Sequence, residues 1–413
     1  MYTHKNLISL KEAIEYISSV APIGTEDVSI ANALGRVLAE DVYSASDCPS
    51  VDSSLKDGFA VISSDIERAT KSNPVVLRVV DTVTAGEKRG ISEVIPGTTV
   101  RIMTGSPMPR GATSVLSSEF AIELSKDAIQ AIAHSEQGRN VLRKGEDIES
   151  GQKILLKGTT VSPLDTGLMA AAGINTVKVF VRPRVAIAAT GTELVAPGSP
   201  IGPGEVAASN LITLEATLKQ MGIEPRCYIF KDSLDDLKQR FQRLLEENDV
   251  LLTCGGVLDG DKDFTVKAME ELGVDMLFRR VRIGPGKGIC MGRLGKRLIF
   301  NLPGGPPSNY VAGIVLAVPG IKRLMGSGQP FPPRIEVELQ MELKGRADWT
   351  QFTFCNLGAK SGRIKAFTVD ARSRLLAMAR AHGLIELPEG VSCKQEGEVG
   401  MAWVLRWPNQ PMS

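Results

Sequence analysis

Residues 253–265 read TCGGVLDGDKDFT, a glycine pair at Gly255 and Gly256 followed by Asp259, Asp261 and Asp263. Glycines let backbone N–H groups approach an anion closely, and the N-terminus of a following helix adds partial positive charge. The aspartates repel a phosphate directly, but they can hold a hard cation such as Mg²⁺, which bridges to phosphate oxygens. A glycine cradle followed by acidic residues therefore makes sense as one metal–phosphate site. Asp and Gly are also the common turn residues, and Asp263 can simply cap the helix that follows. Neither this stretch nor GPGKGIC (residues 284–290) fits the Walker pattern G-x-x-x-x-G-K-[ST]. No G-x-G-x-x-G follows the first α/β strand, so a dinucleotide is not supported.

Other stretches carry similar chemistry. AATGTEL (188–194) ends an apolar run with Thr190, Gly191 and Glu193. VDSSLKDGFAV (51–61) presents Asp57-Gly58 as a tight turn, and RIMTGSPMPRGATSV (101–115) places Thr104, Gly105 and Ser106 in a Gly/Pro-rich loop. RKGEDI (143–148) brings Asp147 to a module boundary. Lys287 sits in a glycine loop, where a lone ammonium is a natural phosphate partner. FNLPGGPPSNY (300–310) ends a strand in Pro-Gly-Gly-Pro-Pro just before a helix, a second anion-ready N-terminus. Each stretch alone reads as readily as a turn.

The elements that must position these residues follow from periodicity. Ser9 to Val20 reads as an amphipathic helix with Ser9 and Glu12 in capping-box spacing. Between Pro49 and about Gly145, short β-branched runs alternate with Gly/Pro turns, which predicts a mostly-β module. From Arg182 onward, the apolar strands RVAIAATG, CYIFK and DVLLTCGG alternate with helical patterns such as LDDLKQRFQRLLEEN. That alternation predicts a parallel sheet with helices on both faces, a fold that binds ligands at the carboxyl ends of its strands. After the linker GSGQPFPP (326–333), period-two alternation predicts a small terminal β-domain, in which Trp403 and Trp407 pack.

Composition bounds the class. The 413 residues imply two to four domains, and 43% apolar with 23% charged residues is a soluble globular composition. A formal net charge of +1 gives no reason to expect a nucleic-acid partner. No segment reaches the roughly 18 uninterrupted apolar residues of a membrane span, and the N-terminus does not look like a signal peptide. The six cysteines lack CxxC spacing and read as reduced thiols of a cytoplasmic protein. The three histidines are far apart, which disfavours a histidine metal centre or a Ser-His-Asp triad.

Together and in this order, DSSLKDGFAV, RIMTGSPMP, RKGEDI, ATGTEL, CGGVLDGDKDFT, GPGKG and NLPGGPPS resemble the molybdopterin molybdenumtransferase family, the MoeA type related to the E domain of gephyrin. The resemblance covers nearly the whole chain and is weak after the linker. It implies an α/β multidomain fold: a discontinuous N-terminal domain (1–46 with 148–179), a mostly-β module (47–147), a doubly wound α/β molybdopterin-binding domain (180–327) and a small β-barrel-like domain (333–413). It also implies a homodimer, with each site in a cleft between the α/β domain and the partner subunit's β-module. The substrates implied are adenylylated molybdopterin and molybdate; the cofactor is Mg²⁺, and the products are molybdenum cofactor and AMP. A molybdopterin adenylyltransferase and apo-molybdoenzymes are the implied protein partners.

Carried over by position, Asp57, Asp147, Asp263 and Lys287 are the implied catalytic residues. Thr104, Gly105, Glu119, Thr190, Gly191, Asn210, Gly255, Gly256, Pro303, Gly304 and Ser308 are the implied pterin- and nucleotide-binding residues, and Glu193 with Asp263 the metal ligands.

The chain departs from the family pattern at Lys56 (usually methionine), Ala208 (usually aspartate), Gly284 (usually lysine) and Gly305 (usually asparagine), and at Leu258 and Asp259. A lost charge-assisted hydrogen bond costs roughly 1.5–3 kcal/mol, about one to two decades of affinity. Two functional readings follow: an active insertase with a modified site, or a paralogue that binds molybdopterin or nucleotide as a carrier.

Overall fold

A computed structural model describes residues 7–86, 90–255, 264–360, 362–370 and 373–408. The N-terminal helix Leu10–Ser18 begins as its sequence predicts: the Ser9 hydroxyl accepts from the Glu12 N–H, and the Glu12 carboxylate accepts from the Ser9 N–H. Its buried face, Leu10, Ala13 and Ile17, joins the core of the α/β domain, not the units next to it in sequence. Two short ladders then tie distant segments together: Thr25–Ser29 pairs antiparallel with Thr176–Phe180, and Val42–Tyr43 with Lys153–Leu155. Leu38, Val42, Met169 and Val179 form the small core beneath them.

Between those ladders lies the β-module. Its six strands run in the order Ser114–Ser117, Gly58–Val61, Thr98–Ile102, Val75–Val83, Ala128–Ala131, Ala121–Ser125. The tight turn read at Asp57-Gly58 is a bend over residues 55–57 that runs straight into the sheet. Gly58 opens a central strand, and a Cβ there would lie 2.0 Å from the Leu116 carbonyl oxygen. The glycine is required by the close approach of a neighbouring backbone.

The α/β sheet has the strand order Arg226–Phe230, Val185–Thr190, Val250–Cys254, Arg297–Leu302, Cys290–Leu294, Asp275–Phe278. The first four are parallel, as expected. The last two are antiparallel additions at one edge, so the sheet is mixed. Cys290–Leu294 escapes the sequence reading because it pairs with Arg297–Leu302 as a hairpin, which needs no crossover helix to announce it. Helices Leu234–Glu247 and Phe264–Glu271 cover one face, and Ser209–Gln220 with the helical run Pro306–Leu324 covers the other. That last run contains a π-turn over Gly313–Ala317, directly before Pro319, whose missing N–H breaks the regular ladder. Chain order reverses between Val185–Thr190 and Val250–Cys254, which puts the topological switch point at Thr190 and Cys254.

The terminal domain closes on itself. Strands Thr350–Lys360, Arg363–Thr368, Arg334–Leu339, Val399–Val404 and Gly383–Leu387 pair in sequence, and the last returns to the first. This is the β-domain that the alternation predicts, closed into the barrel that the family resemblance implies. Trp403 is 1% exposed, edge-on to Phe352 at 5.7 Å, and its indole N–H donates to Glu386 at 2.7 Å. Trp407 is 59% exposed, against expectation; it lies beyond the last strand, where no facing sheet can cover it.

Candidate functional site

The crevice at the switch point is built from strand ends. Thr190 closes its strand with a side chain only 4% exposed, its hydroxyl 3.3 Å from that of Thr265 on the helix beyond. Gly191 follows, donating its N–H to the Phe230 carbonyl, and the Glu193 carboxylate folds back over the Gly191 α-carbon. Asp232 reaches the same corner and accepts from the Thr192 N–H at 3.3 Å. Gly255 ends the next strand at φ +108° and donates to Leu302. A Cβ at Gly255 would stand 2.5 Å from the Thr190 carbonyl oxygen, so the two strand ends meet only because this residue is glycine.

The third wall is the Pro303–Gly305 turn. A Cβ at Gly304 would lie 3.7 Å from the Gly255 α-carbon. The carbonyls of this turn are consumed: Pro303 accepts from the Asn309 amide at 2.9 Å, Gly304 from the Asn210 amide at 2.8 Å, and Gly305 from the Asn309 N–H at 2.8 Å. The Gly304 and Gly305 N–H groups have no acceptor among the described residues. They sit at the start of the helical run Pro306–Leu324, where partial positive charge collects. Such a turn is suited to an oxyanion.

Lys287 stands at the other side of that helix. Gly286, beside it, packs so closely that a Cβ would lie 3.3 Å from the Ser308 carbonyl oxygen. The Lys287 ammonium lies over the Trp349 ring at 5.8 Å, and Trp349 comes from the terminal domain. Thr190, Gly191, Glu193, Asn210, Gly255, Pro303, Gly304, Ser308 and Lys287 therefore gather along one end of the sheet. Gly256, Leu258, Asp259 and Asp263 lie outside the described residues.

The β-module residues form a second group. Asp57 Oδ1 accepts from both the N–H and the hydroxyl of Thr104, each at 2.7 Å. Those two hydrogen bonds, backbone first, hold the carboxyl below the usual carboxylate range. Gly105 donates to the Ser54 carbonyl at 2.8 Å and Ser118 to the Asp57 carbonyl at 3.0 Å, so strand Gly58–Val61 is gripped on both sides of Asp57. Glu119 accepts from the Ser117 hydroxyl at 3.1 Å. Asp147 is exposed on the segment that follows Val141–Leu142, which pairs with Ser53–Ser54. Among the described residues, no hydrogen bond or ion pair joins this group to the α/β crevice within one chain.

Sequence reasoning missed Thr265, Asp232, Asn309 and Trp349. Asn309 was nearest to being found, since it follows the glycine–proline turn it braces. Trp349 carries no local signal, because only domain packing brings it under Lys287. Two departures from the family pattern also find their places. Ala208 is the N-cap of helix Ser209–Gln220, buried and without a side-chain cap, and Lys56 is exposed beside Asp57. The Glu193 and Asp232 carboxylates are the oxygen donors at this corner, and among the described residues no group of three or more His, Cys, Asp or Glu side chains gathers to hold a metal ion. Cys254 beneath it is fully buried, and burial pushes its thiol up to about 12, so it stays a neutral filler.

Comparison with known proteins adds sequence and fold evidence. Residues 8–173 match the family described as the MoeA N-terminal region (domain I and II), and residues 186–323 a probable molybdopterin binding domain. The molybdopterin molybdenumtransferase of Bacillus subtilis (strain 168) is 32% identical over 417 residues, covering 99% of this chain and 96% of that protein. Molybdopterin molybdenumtransferase 2 of Mycobacterium tuberculosis is 31% identical over 392 residues, covering 92% of this chain and 94% of its own. A crystal structure of the molybdopterin biosynthesis MoeA protein from Pyrococcus horikoshii superposes with a TM-score of 0.80 at 29% identity, covering 98% of this chain and 100% of that one.

Proposed function

The chain belongs to the molybdopterin molybdenumtransferase family, and from that premise we propose that its crevice inserts molybdate into adenylylated molybdopterin with release of AMP. The observation that carries this reading is the Pro303–Gly305 turn beside Gly255, with its carbonyls spent and its Gly304 and Gly305 N–H groups left without an acceptor among the described residues. The phosphoanhydride is the oxyanion such a turn fits. Lys287 would neutralise a second phosphate oxygen, its ammonium restrained by Trp349. Thr190, Gly191 and Asn210 would orient the pterin and nucleotide against the strand ends. Glu193, with Asp263, would hold Mg²⁺, which when bound neutralises charge at the anhydride. Stabilising negative charge that grows on the departing AMP is the main contribution expected of these residues. Molybdate is a substrate, placed so that its capture by the pterin dithiolene accompanies anhydride cleavage.

Asp57, Thr104, Gly105, Glu119 and Asp147 lie in the β-module, and among the described residues none of them bonds to a crevice residue of its own chain. In a homodimer with cross-subunit sites, the partner's β-module would close each crevice with these residues. A dimeric protein of the cytoplasm, receiving its substrate from a molybdopterin adenylyltransferase and delivering product to apo-molybdoenzymes, completes the reading. The test is turnover with purified protein, adenylylated molybdopterin, molybdate and Mg²⁺, following AMP and reconstitution of a molybdenum-free apo-enzyme. AMP release that requires molybdate and fails in Asp263→Asn supports the insertase. Tight pterin binding without AMP release would instead assign the carrier role, with the side chains missing at Ala208 and Gly284 as its cause.

A further inference from the structure

At the amino ends of the parallel strands, opposite the crevice, a cavity of about 490 Å³ lies between the discontinuous unit and the α/β domain. Leu34 and Gly35 line it from one side, and Gly222, Lys219 and Lys322 from the other. Arg182, on the segment that joins the two, lines it as well. Its guanidinium is wedged between Gly35 and Gly222: a Cβ on Gly35 would lie 3.6 Å from one terminal nitrogen, and one on Gly222 2.4 Å.

The charges in this cavity do not balance. Lys219 is answered by Glu215 at 2.8 Å and Glu224 at 3.7 Å. Arg36, behind the cavity, is answered by Glu26 and the Phe180 carbonyl. Arg182 and Lys322 have no ion pair and no side-chain hydrogen bond among the described residues, and the Arg182 Nε is buried without a partner. Lys322 lies in the last turn of its helix, where carbonyl ends offset part of its charge; Arg182 has no such help. Burial pushes both groups below their ordinary ranges; for Arg182 the like charge of Arg36 adds to that and Glu26 opposes it. Both residues are half-buried, and two half-buried cations without a counter-charge facing one cavity call for an anion between them.

We propose that this cavity is a binding site for a doubly charged tetrahedral oxyanion, seated between the Arg182 guanidinium and the Lys322 ammonium. Such an anion would tie the linker segment to the last helix of the α/β domain and fix the angle between the discontinuous unit and the sheet. The site is separate from the crevice and stands whether or not the insertase reading does.

Full-length protein would be titrated with inorganic phosphate, sulfate and molybdate at constant ionic strength, by calorimetry and by thermal unfolding. The expected result is saturable binding of at least one of the three, kept in Lys287→Ala and weakened about tenfold or more in Lys322→Met and in Arg182→Met. Tightest binding of molybdate would make the cavity a second seat for the substrate oxyanion, and tightest binding of phosphate a phosphate site; either upholds the proposal. Should Arg182→Met fail to fold, Lys322→Met still decides. Stabilisation that never saturates and is equal in all variants is the general effect of excluded salts, and overturns the proposal. Binding lost in Lys287→Ala but kept in Lys322→Met places the anion in the crevice and also overturns it.

Discussion

Gly255→Ala is the sharpest probe of the crevice. The native φ of +108° is one that L side chains rarely adopt, and forcing alanine into it costs about 1–3 kcal/mol. The added methyl would also stand 2.5 Å from the Thr190 carbonyl oxygen, a backbone atom of a central strand that cannot swing aside. Together these predict a loss of about 2–3 kcal/mol, the upper part of that range. For a domain near 150 residues, that lowers the unfolding midpoint by roughly 4–12 °C. Turnover falls as well, because any relief moves the Thr190 and Gly304 walls apart. Gly305→Ala is the matched control: its φ is −70° and a Cβ there meets nothing within 4 Å, so it loses only the roughly 0.5–1 kcal/mol that alanine costs at a helix N-cap. The assay is thermal unfolding of both variants beside AMP release. A Gly255→Ala protein with an unchanged midpoint and full turnover refutes the strand-end geometry.

Three further outcomes are expected. Mixing Asp57→Ala with Lys287→Ala protein under exchange conditions restores about one quarter of the sites if each site draws on two subunits, and none if it is built within one chain; AMP release by the mixture reads this directly. The Asp57 carboxyl is held low by Thr104, so its contribution to the order of residues 103–106 is complete above about pH 4, the unfolded value, and is lost as pH falls through the folded value. Thr104→Val removes one of the two donors and moves that loss to higher pH, measured by amide exchange in the loop. Burial pushes both Cys254 and Cys355 up to about 12, so iodoacetamide at pH 8 leaves them unmodified in folded protein, and labelling of either at the rate of Cys48 or Cys393 contradicts their burial.

Local signals were legible wherever the physics is local. The Ser9–Glu12 capping box and the apolar run 185–190 each specify their element through neighbours within a few residues. The same holds for the glycine turns at 303–305 and 284–288, because only glycine and proline chemistry permits those paths. What local rules could not supply was partnership. The edge strand 275–278, the glycine at 58 and the tryptophan beneath Lys287 all depend on a neighbour distant in sequence.

The family, the doubly wound sheet and the residues that end its strands can be read along the chain, since hydrophobic period and turn chemistry are local properties. Only the tertiary structure decided which of those residues share a crevice: Thr190, Gly255 and Gly304 meet because three parallel strands stop at one level. It likewise separated the Asp57–Thr104 edge from that crevice and left Arg182 and Lys322 facing one cavity without an acid. Contacts of this kind are set by how sheets and domains pack, and packing is a property of surfaces that no short stretch of sequence contains.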